Sequence, residues 1–225
     1  MLQAIDTINA AAGVAAPAVK ELSLWDLTMM GGFIMIPLAL LSVLSIYIFV
    51  ERYIVISRAR HDDDTFMKRI KDYIHDGELE NARRLCATTD TPYSRLIGKG
   101  ISRIGRPMQD VLVTIENTGN MEIAKLEKGL EWLATTAAGA PMIGFLGTVI
   151  GMVNAFYNLA SAGTSANIAV LADGIYGALV TTVAGLIVGI IALFAYNYLT
   201  ARVGKVMNML ERKTMEFMDL LNEPA

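Results

Sequence analysis

The sequence predicts an all-α, polytopic membrane protein with three transmembrane helices and a helical cytoplasmic domain. Three observations predict it. Only 18% of the 225 residues are charged against 54% hydrophobic, and the mean hydropathy is +0.45, so lipid is expected to be part of the solvent. Charge is missing from three long stretches. The segments between those stretches repeat their apolar residues at helical spacing.

Residues 1–26 form an N-terminal segment whose only charges are Asp6, Lys20, Glu21 and Asp26. It has no basic start, and the apolar run after it is long for a signal sequence, so that run reads as a retained span. The Ala-rich stretch from Met1 to Ala18 is expected to lie on the membrane surface as a weakly amphipathic helix. The first span, 27–50, has 24 residues without a charge, about 36 Å of helix against about 30 Å of hydrocarbon.

The region 51–132 is expected to be cytoplasmic and helical. From Glu51 to Lys128 it carries 14 Lys/Arg and 13 Asp/Glu, a balance that excludes a nucleic-acid-binding arm. Asp62, Asp63 and Asp64 start a helix whose stripe is Phe66, Ile70, Tyr73 and Ile74, and Gly77 closes it. Leu79, Ala82 and Leu85 mark a second helix before Thr91-Pro92. Ile97, Ile101 and Ile104 mark a third, broken at Gly105-Arg106-Pro107. A last stripe of Ile123, Leu126, Leu130 and Leu133 is expected to run straight into the second span. His61 and His75 have no partner at metal-ligand spacing, and neither a metal nor another cofactor is expected. Cys86 is the single cysteine, so no internal disulfide exists, and it reads as a small packing residue.

The charge-free stretch from Leu133 to Ala172 is too long for one crossing. Its small polar patch, 161–167, reads as a tight connection between a second span at 133–160 and a third at 168–199. A tail, 200–225, follows. Arg52, Arg58 and Arg60 follow the first span, and Arg202, Lys205, Arg212 and Lys213 follow the third, whereas the connection carries no charge. The positive-inside rule therefore puts the N-terminus and the 161–167 connection outside, and the region 51–132 and the tail inside.

The second and third spans carry small residues on one helical face each. Ala137, Pro141, Gly144, Thr148, Gly151 and Ala155 recur at 4-3-4-3-4 spacing; Gly174, Ala178, Thr182, Gly185, Gly189, Ala192 and Tyr196 recur at 4-4-3-4-3-4. Small residues let helix backbones approach closely in lipid, which makes Pro141, Gly144, Gly147, Gly151, Ala178, Gly185 and Gly189 packing candidates. Thr148 and Thr182 place a hydroxyl near the middle of each seam. Such a hydroxyl can bond back to its own helix or face water in a narrow pore. Asp173 is the one Asp, Glu, Lys, Arg or His between Leu133 and Ala201, and it reads as a helix-start cap or part of an outer mouth.

The run Ala140-Pro141-Met142-Ile143-Gly144-Phe145-Leu146-Gly147-Thr148-Val149-Ile150-Gly151-Met152, with Ala155-Phe156, resembles the second-span signature of the MotA/TolQ/ExbB proton channels. Gly174-Ile175, Ala178-Leu179, Thr182, Gly185-Leu186 and Tyr196-Asn197 resemble the third-span signature, and Glu51-Arg52 and the stretch from Gly77 to Ala82 leading to Cys86 are similar to that family too. The resemblance runs from Leu24 to Asn197, and the three-span plan is more similar to ExbB and TolQ than to MotA. It implies a homopentamer in the bacterial inner membrane, with Thr148 and Thr182 facing a central pore. Inside that pore would sit a dimeric ExbD- or TolR-like single-span partner bearing a membrane aspartate, and the work would reach the outer membrane through a TonB-like protein. The chain departs from the family at Gly177, where relatives often carry a glutamate, and at Thr181, an additional hydroxyl in the pore candidate set. A TolQ-like envelope motor, a gliding or secretion motor and a non-conducting scaffold are the competing functions. No G-x-S-x-G, H-E-x-x-H or G-x-x-x-x-G-K occurs, so no enzyme is expected and no catalytic residue is assigned.

Overall fold

The computed structural model describes residues 31–60, 64–162 and 168–222. The expected surface helix and the rest of the segment 1–26, residues 27–30 of the expected first span, His61, Asp62, Asp63, residues 163–167 of the expected connection and residues 223–225 of the expected tail lie outside the described residues. A short 3-10 turn, Gly32–Ile34, leads into α1 (Met35–Ala59). Then come α2 (Asp64–His75), α3 (Leu79–Thr89), α4 (Pro92–Ile101), α5 (Met108–Glu127), α6 (Leu130–Ala162) and α7 (Ile168–Asn222). Among the described residues there is no strand, and three helical stretches are long and apolar enough to cross a membrane: Gly32–Ala59, Leu130–Ala162 and Ile168–Asn222. The chain is an all-α polytopic membrane protein.

The short helices begin and end where local chemistry requires. Gly77, at φ +74°, closes α2 in a Schellman arrangement, with Glu78 N–H donating to the Tyr73 carbonyl at 2.8 Å and Gly77 N–H to that of Ile74 at 3.2 Å. Thr91 caps α4 reciprocally: Ser94 N–H donates to Thr91 Oγ1 at 3.3 Å and Thr91 N–H to Ser94 Oγ at 2.9 Å, with Pro92 in the first turn.

Two long elements differ from the sequence expectation. The helix leading to the second span does not run straight through: α5 ends at Glu127, Gly129 adopts φ +91°, and α6 starts at Leu130. A left-handed residue cannot continue an α-helix, and glycine takes that conformation without steric cost. Beyond the third span, the chain stays helical through Asn222, giving α7 55 residues, about 80 Å of rod. The reason is a stripe beyond the lipid-length run: Leu199, Val203, Val206, Leu210, Lys213, Phe217 and Leu220 recur at 4-3-4-3-4-3 and are all buried.

That stripe is the spine of an extramembrane core. Ile56 from the end of α1, Phe66 and Ile70 from α2, Tyr93 and Ile97 from α4, Ile115 from α5 and Phe217 from α7 are buried in one cluster, and Phe66 meets Tyr93 edge-on at 5.0 Å. Each such side chain removed from water stabilises the fold by about 1.5–3 kcal/mol. Cys86 packs in the same core beside Gly98, and burial pushes its thiol up to about 12. In the spans most large apolar side chains instead point outward, Leu38 being an exception, and the contact of α6 with α7 falls to the small residues.

Candidate functional site

The seams of α6 and α7 face each other within one chain and mesh along their length. A Cβ added at Gly174 would stand 2.7 Å from Ala155 Cβ, one at Gly151 2.7 Å from Ala178 Cβ, one at Gly144 2.7 Å from the Thr181 carbonyl oxygen, one at Gly185 2.5 Å from the Ala140 carbonyl oxygen, and one at Gly189 2.6 Å from Pro141 Cγ. No side chain fits at these crossings, so the two backbones touch directly, as small-residue seams in lipid allow. Gly147 lies buried against Thr181 Oγ1 and Ile34, and Gly31 approaches Thr181 from the turn before α1. All three spans therefore converge at the level of Thr181.

The three threonines gather at that level. Thr148 Oγ1 donates to the Ala178 carbonyl at 3.1 Å and lies 3.4 Å from that of Gly144, one turn back on its own helix. Thr182 Oγ1 lies 3.1 Å from the same Gly144 carbonyl, and the hydroxyls of Thr148 and Thr182 are in direct contact. Thr181 Oγ1 donates to the Ala178 carbonyl at 2.7 Å and lies 3.1 Å from that of Gly144. Thr181 is only 2% exposed, whereas Thr148 and Thr182 are half-buried and keep an open side. Five oxygens thus cluster at mid-seam: three hydroxyls, each able to donate or accept, and two carbonyls. Asp173 is not among them. It is exposed near the start of α7, eight residues before Thr181, about 12 Å along the helix.

Two side-chain groups outside the seam were not anticipated from the sequence. Glu122 on α5 is 4% exposed and accepts from Arg95 Nε and Nη2 on α4 at 3.1 and 2.6 Å, and from Lys125 Nζ at 2.7 Å. Burial alone raises its pKa, but these hydrogen bonds and the nearby positive charge outweigh it and hold the carboxyl below the usual range. The i,i+3 spacing of Glu122 and Lys125 was visible, but nothing in the sequence linked Arg95 across 27 positions. The second group sits where α1 and α7 reach their charged ends: Tyr53 and Tyr198 stack at 6.4 Å, and the Arg202 guanidinium lies 4.9 and 4.8 Å from their ring centres. Tyrosines at span ends are a membrane-interface signature, and the Tyr198–Arg202 spacing of one turn was there to be read. Among the described residues no three His, Cys, Asp or Glu side chains are placed to hold a metal ion.

Comparison with known proteins covers the same ground. Residues 88–212 match the model of the MotA/TolQ/ExbB proton channel family. The biopolymer transport protein ExbB of Neisseria meningitidis is 30% identical over 188 residues, 77% of this chain and 83% of that protein. TolQ of the Tol-Pal system of Haemophilus influenzae is 39% identical over 106 residues, 47% of this chain and 46% of that one. An ExbB homologue of Methanothermobacter thermautotrophicus is 34% identical over 135 residues, 60% of this chain, and the match spans 47% of that longer relative. The match to the family model takes in the whole threonine cluster and both meshed seams, and this chain belongs to the MotA/TolQ/ExbB proton channel family, as a membrane energising subunit.

Proposed function

We propose that the chain is the pore-forming subunit of a proton-motive-force-driven motor in the bacterial inner membrane, and that it energises TonB-dependent transport across the outer membrane. Copies of it, five by family resemblance, would surround an ExbD-like single-span partner, with the N-terminus periplasmic and the C-terminus cytoplasmic. The observation that carries this reading is the pair of half-buried Thr148 and Thr182 hydroxyls, backed by the buried Thr181, in a membrane segment that has no charged side chain of its own at that depth. Hydroxyls solvate either state of a carboxylic acid, donating to the anion and accepting from the neutral acid. They do not titrate near neutral pH, so the proton carrier comes from elsewhere, and a membrane aspartate of the partner supplies it. A lone carboxylate in lipid is costly, so it is driven toward the neutral form away from such a wet or polar site. Each proton crossing releases about 2.3 kcal/mol per 100 mV.

Liposomes holding the purified chain alone should stay tight under an imposed proton gradient. Adding the partner should produce flux, and adding its aspartate-to-asparagine form should not. Robust flux from the chain alone, lost on Asp173→Asn, would make Asp173 the carrier and end this reading. A TolQ-like envelope role is the second reading, favoured by the Haemophilus relative. It predicts leakage of periplasmic contents through the outer membrane on deletion, with TonB-dependent uptake intact.

A further inference from the structure

α1 and α7 part along one side of their contact and leave a groove of about 440 Å³, lined mainly by Phe49, Ile191, Phe194, Tyr53 and Tyr198, with Ser45 buried in its wall. On α7 the groove runs from Val188 to Tyr198, about 15 Å of helix, which is half the roughly 30 Å hydrocarbon thickness. It is therefore as deep as one lipid leaflet. Away from Arg202 its lining is mainly apolar, broken only by Ser42 and Ser45 on α1, and at the other end Arg202 stands over two of its lining rings. Arg202 is held there over the rings of Tyr53 and Tyr198 and donates to Tyr198 Oη, and among the described residues it pairs with no carboxylate. Lys205 follows, exposed, nearly one turn on. A cation fixed by aromatic rings at the membrane interface, with no counter-charge, above an apolar slot of leaflet depth, matches one kind of molecule at both ends.

We propose that this groove holds one acyl chain of an anionic phospholipid from the leaflet at the Arg202 end, with the phosphate meeting Arg202. The rings keep the guanidinium at headgroup depth, so its orientation is set before the lipid arrives, and the acyl chain covers apolar side chains that α7 alone leaves bare. A basic side chain at an anionic membrane surface contributes about 1 kcal/mol, which is about a fivefold preference. The lipid would then act as a wedge between α1 and the hairpin.

The test is native mass spectrometry of the full-length assembly extracted from bilayers of equal phosphatidylcholine and phosphatidylglycerol. The wild type should retain phosphatidylglycerol with about fivefold preference. Arg202→Gln should bring the two lipids near parity, and Arg202→Lys should keep most of the preference. Separately, a photo-crosslinker on Ser45→Cys should capture lipid. Equal retention of both lipids by the wild type, an unchanged preference in Arg202→Gln, or crosslinking of Ser45→Cys to a neighbouring chain would overturn the proposal, the last by showing that a protein helix fills the groove.

Discussion

Thr148 and Thr182 are half-buried, touch each other and share the Gly144 carbonyl, so each hydroxyl does two jobs at once. Replacing either by valine keeps the branched shape and leaves the carbonyls with their own helix bonds, so packing is conserved while the polar site is lost. Thr148→Val and Thr182→Val are expected to assemble normally on native gels and to lose energised uptake or growth; wild-type growth of the double variant would leave the hydroxyls a packing role alone. Thr181 is a different case, since burial closes its hydroxyl off inside the seam. The small-residue period of the sequence runs through Thr182 and leaves Thr181 as an additional hydroxyl, whereas in the folded hairpin it is Thr181 that is buried with Ala178 and Gly185, a rotation that only the third span's partners reveal. Glu122 gives a pH-dependent signature. Its carboxyl is held below the ordinary range in the folded chain, so its ionisation favours folding above the unfolded value of about 4.3, and that contribution is lost as pH falls through the folded value. Glu122→Gln should therefore cost about 1.5–3 kcal/mol at neutral pH, read as a lower melting temperature, and the gap from wild type should narrow in acid. Cys86, with its thiol pushed up to about 12, should resist alkylation at mildly alkaline pH until the chain is unfolded.

At the scale of elements, the hairpin of α6 and α7 depends on glycine at its crossings. The Gly185 Cβ position is 2.5 Å from a backbone oxygen and 2.9 Å from Gly144 Cα, neither of which can swing aside as a side chain tip would. Gly185→Leu and Gly144→Leu are expected to separate the two helices inside each chain and so to abolish oligomers on native gels, with protease sensitivity appearing in the monomer as well. Oligomers of normal size would show that the hairpin tolerates the separation. The small-residue periods in the sequence marked these faces but could not say which faces meet, since a seam fits a neighbour in its own chain or in another equally well. The break at Gly129 was hidden because the stripe from Ile123 to Leu133 keeps helical spacing across it, and periodicity does not register one residue of positive φ. The length of α7 was hidden for the opposite reason. The charges after Ala201 end the lipid-length run, while the spacing of Val203, Val206, Leu210 and Phe217 continues the helix. Truncation after Arg202 should remove that stripe from the extramembrane core, leaving a chain that still inserts but whose α2–α5 region is rapidly proteolysed.

For the whole molecule, two kinds of cohesion act in one chain. The extramembrane core, built on Ile56, Tyr93, Ile115 and Phe217, is held by apolar burial from water. The spans gain nothing from that effect in lipid and rely on close backbone contact at Gly144, Gly151, Gly185 and Gly189. The two regimes meet at the level of Tyr53, Tyr198 and Arg202, where aromatic rings and a cation mark the interface on the same side as the core. Charge then sets which side that is. Arg52 and Arg58 lie on α1 beyond its charge-free run and Arg60 just after it, and Arg202, Lys205, Arg212 and Lys213 lie on α7 beyond the span, whereas the 161–167 connection has no charge. Basic residues near span ends are retained in the cytoplasm, so α2–α5 and the end of α7 are expected inside and the connection outside. Cysteines introduced at Thr88, exposed at the end of α3, and at Ser161, exposed at the end of α6, separate the two orientations. Cys86 need not be removed, because its burial is expected to protect it from the maleimide, and the unsubstituted chain is the control. With an impermeant maleimide on intact cells, Ser161→Cys should label and Thr88→Cys should label only after the cytoplasmic membrane is opened. Labelling of Thr88→Cys from outside would invert the molecule and put Arg202, with its groove, in the opposite leaflet.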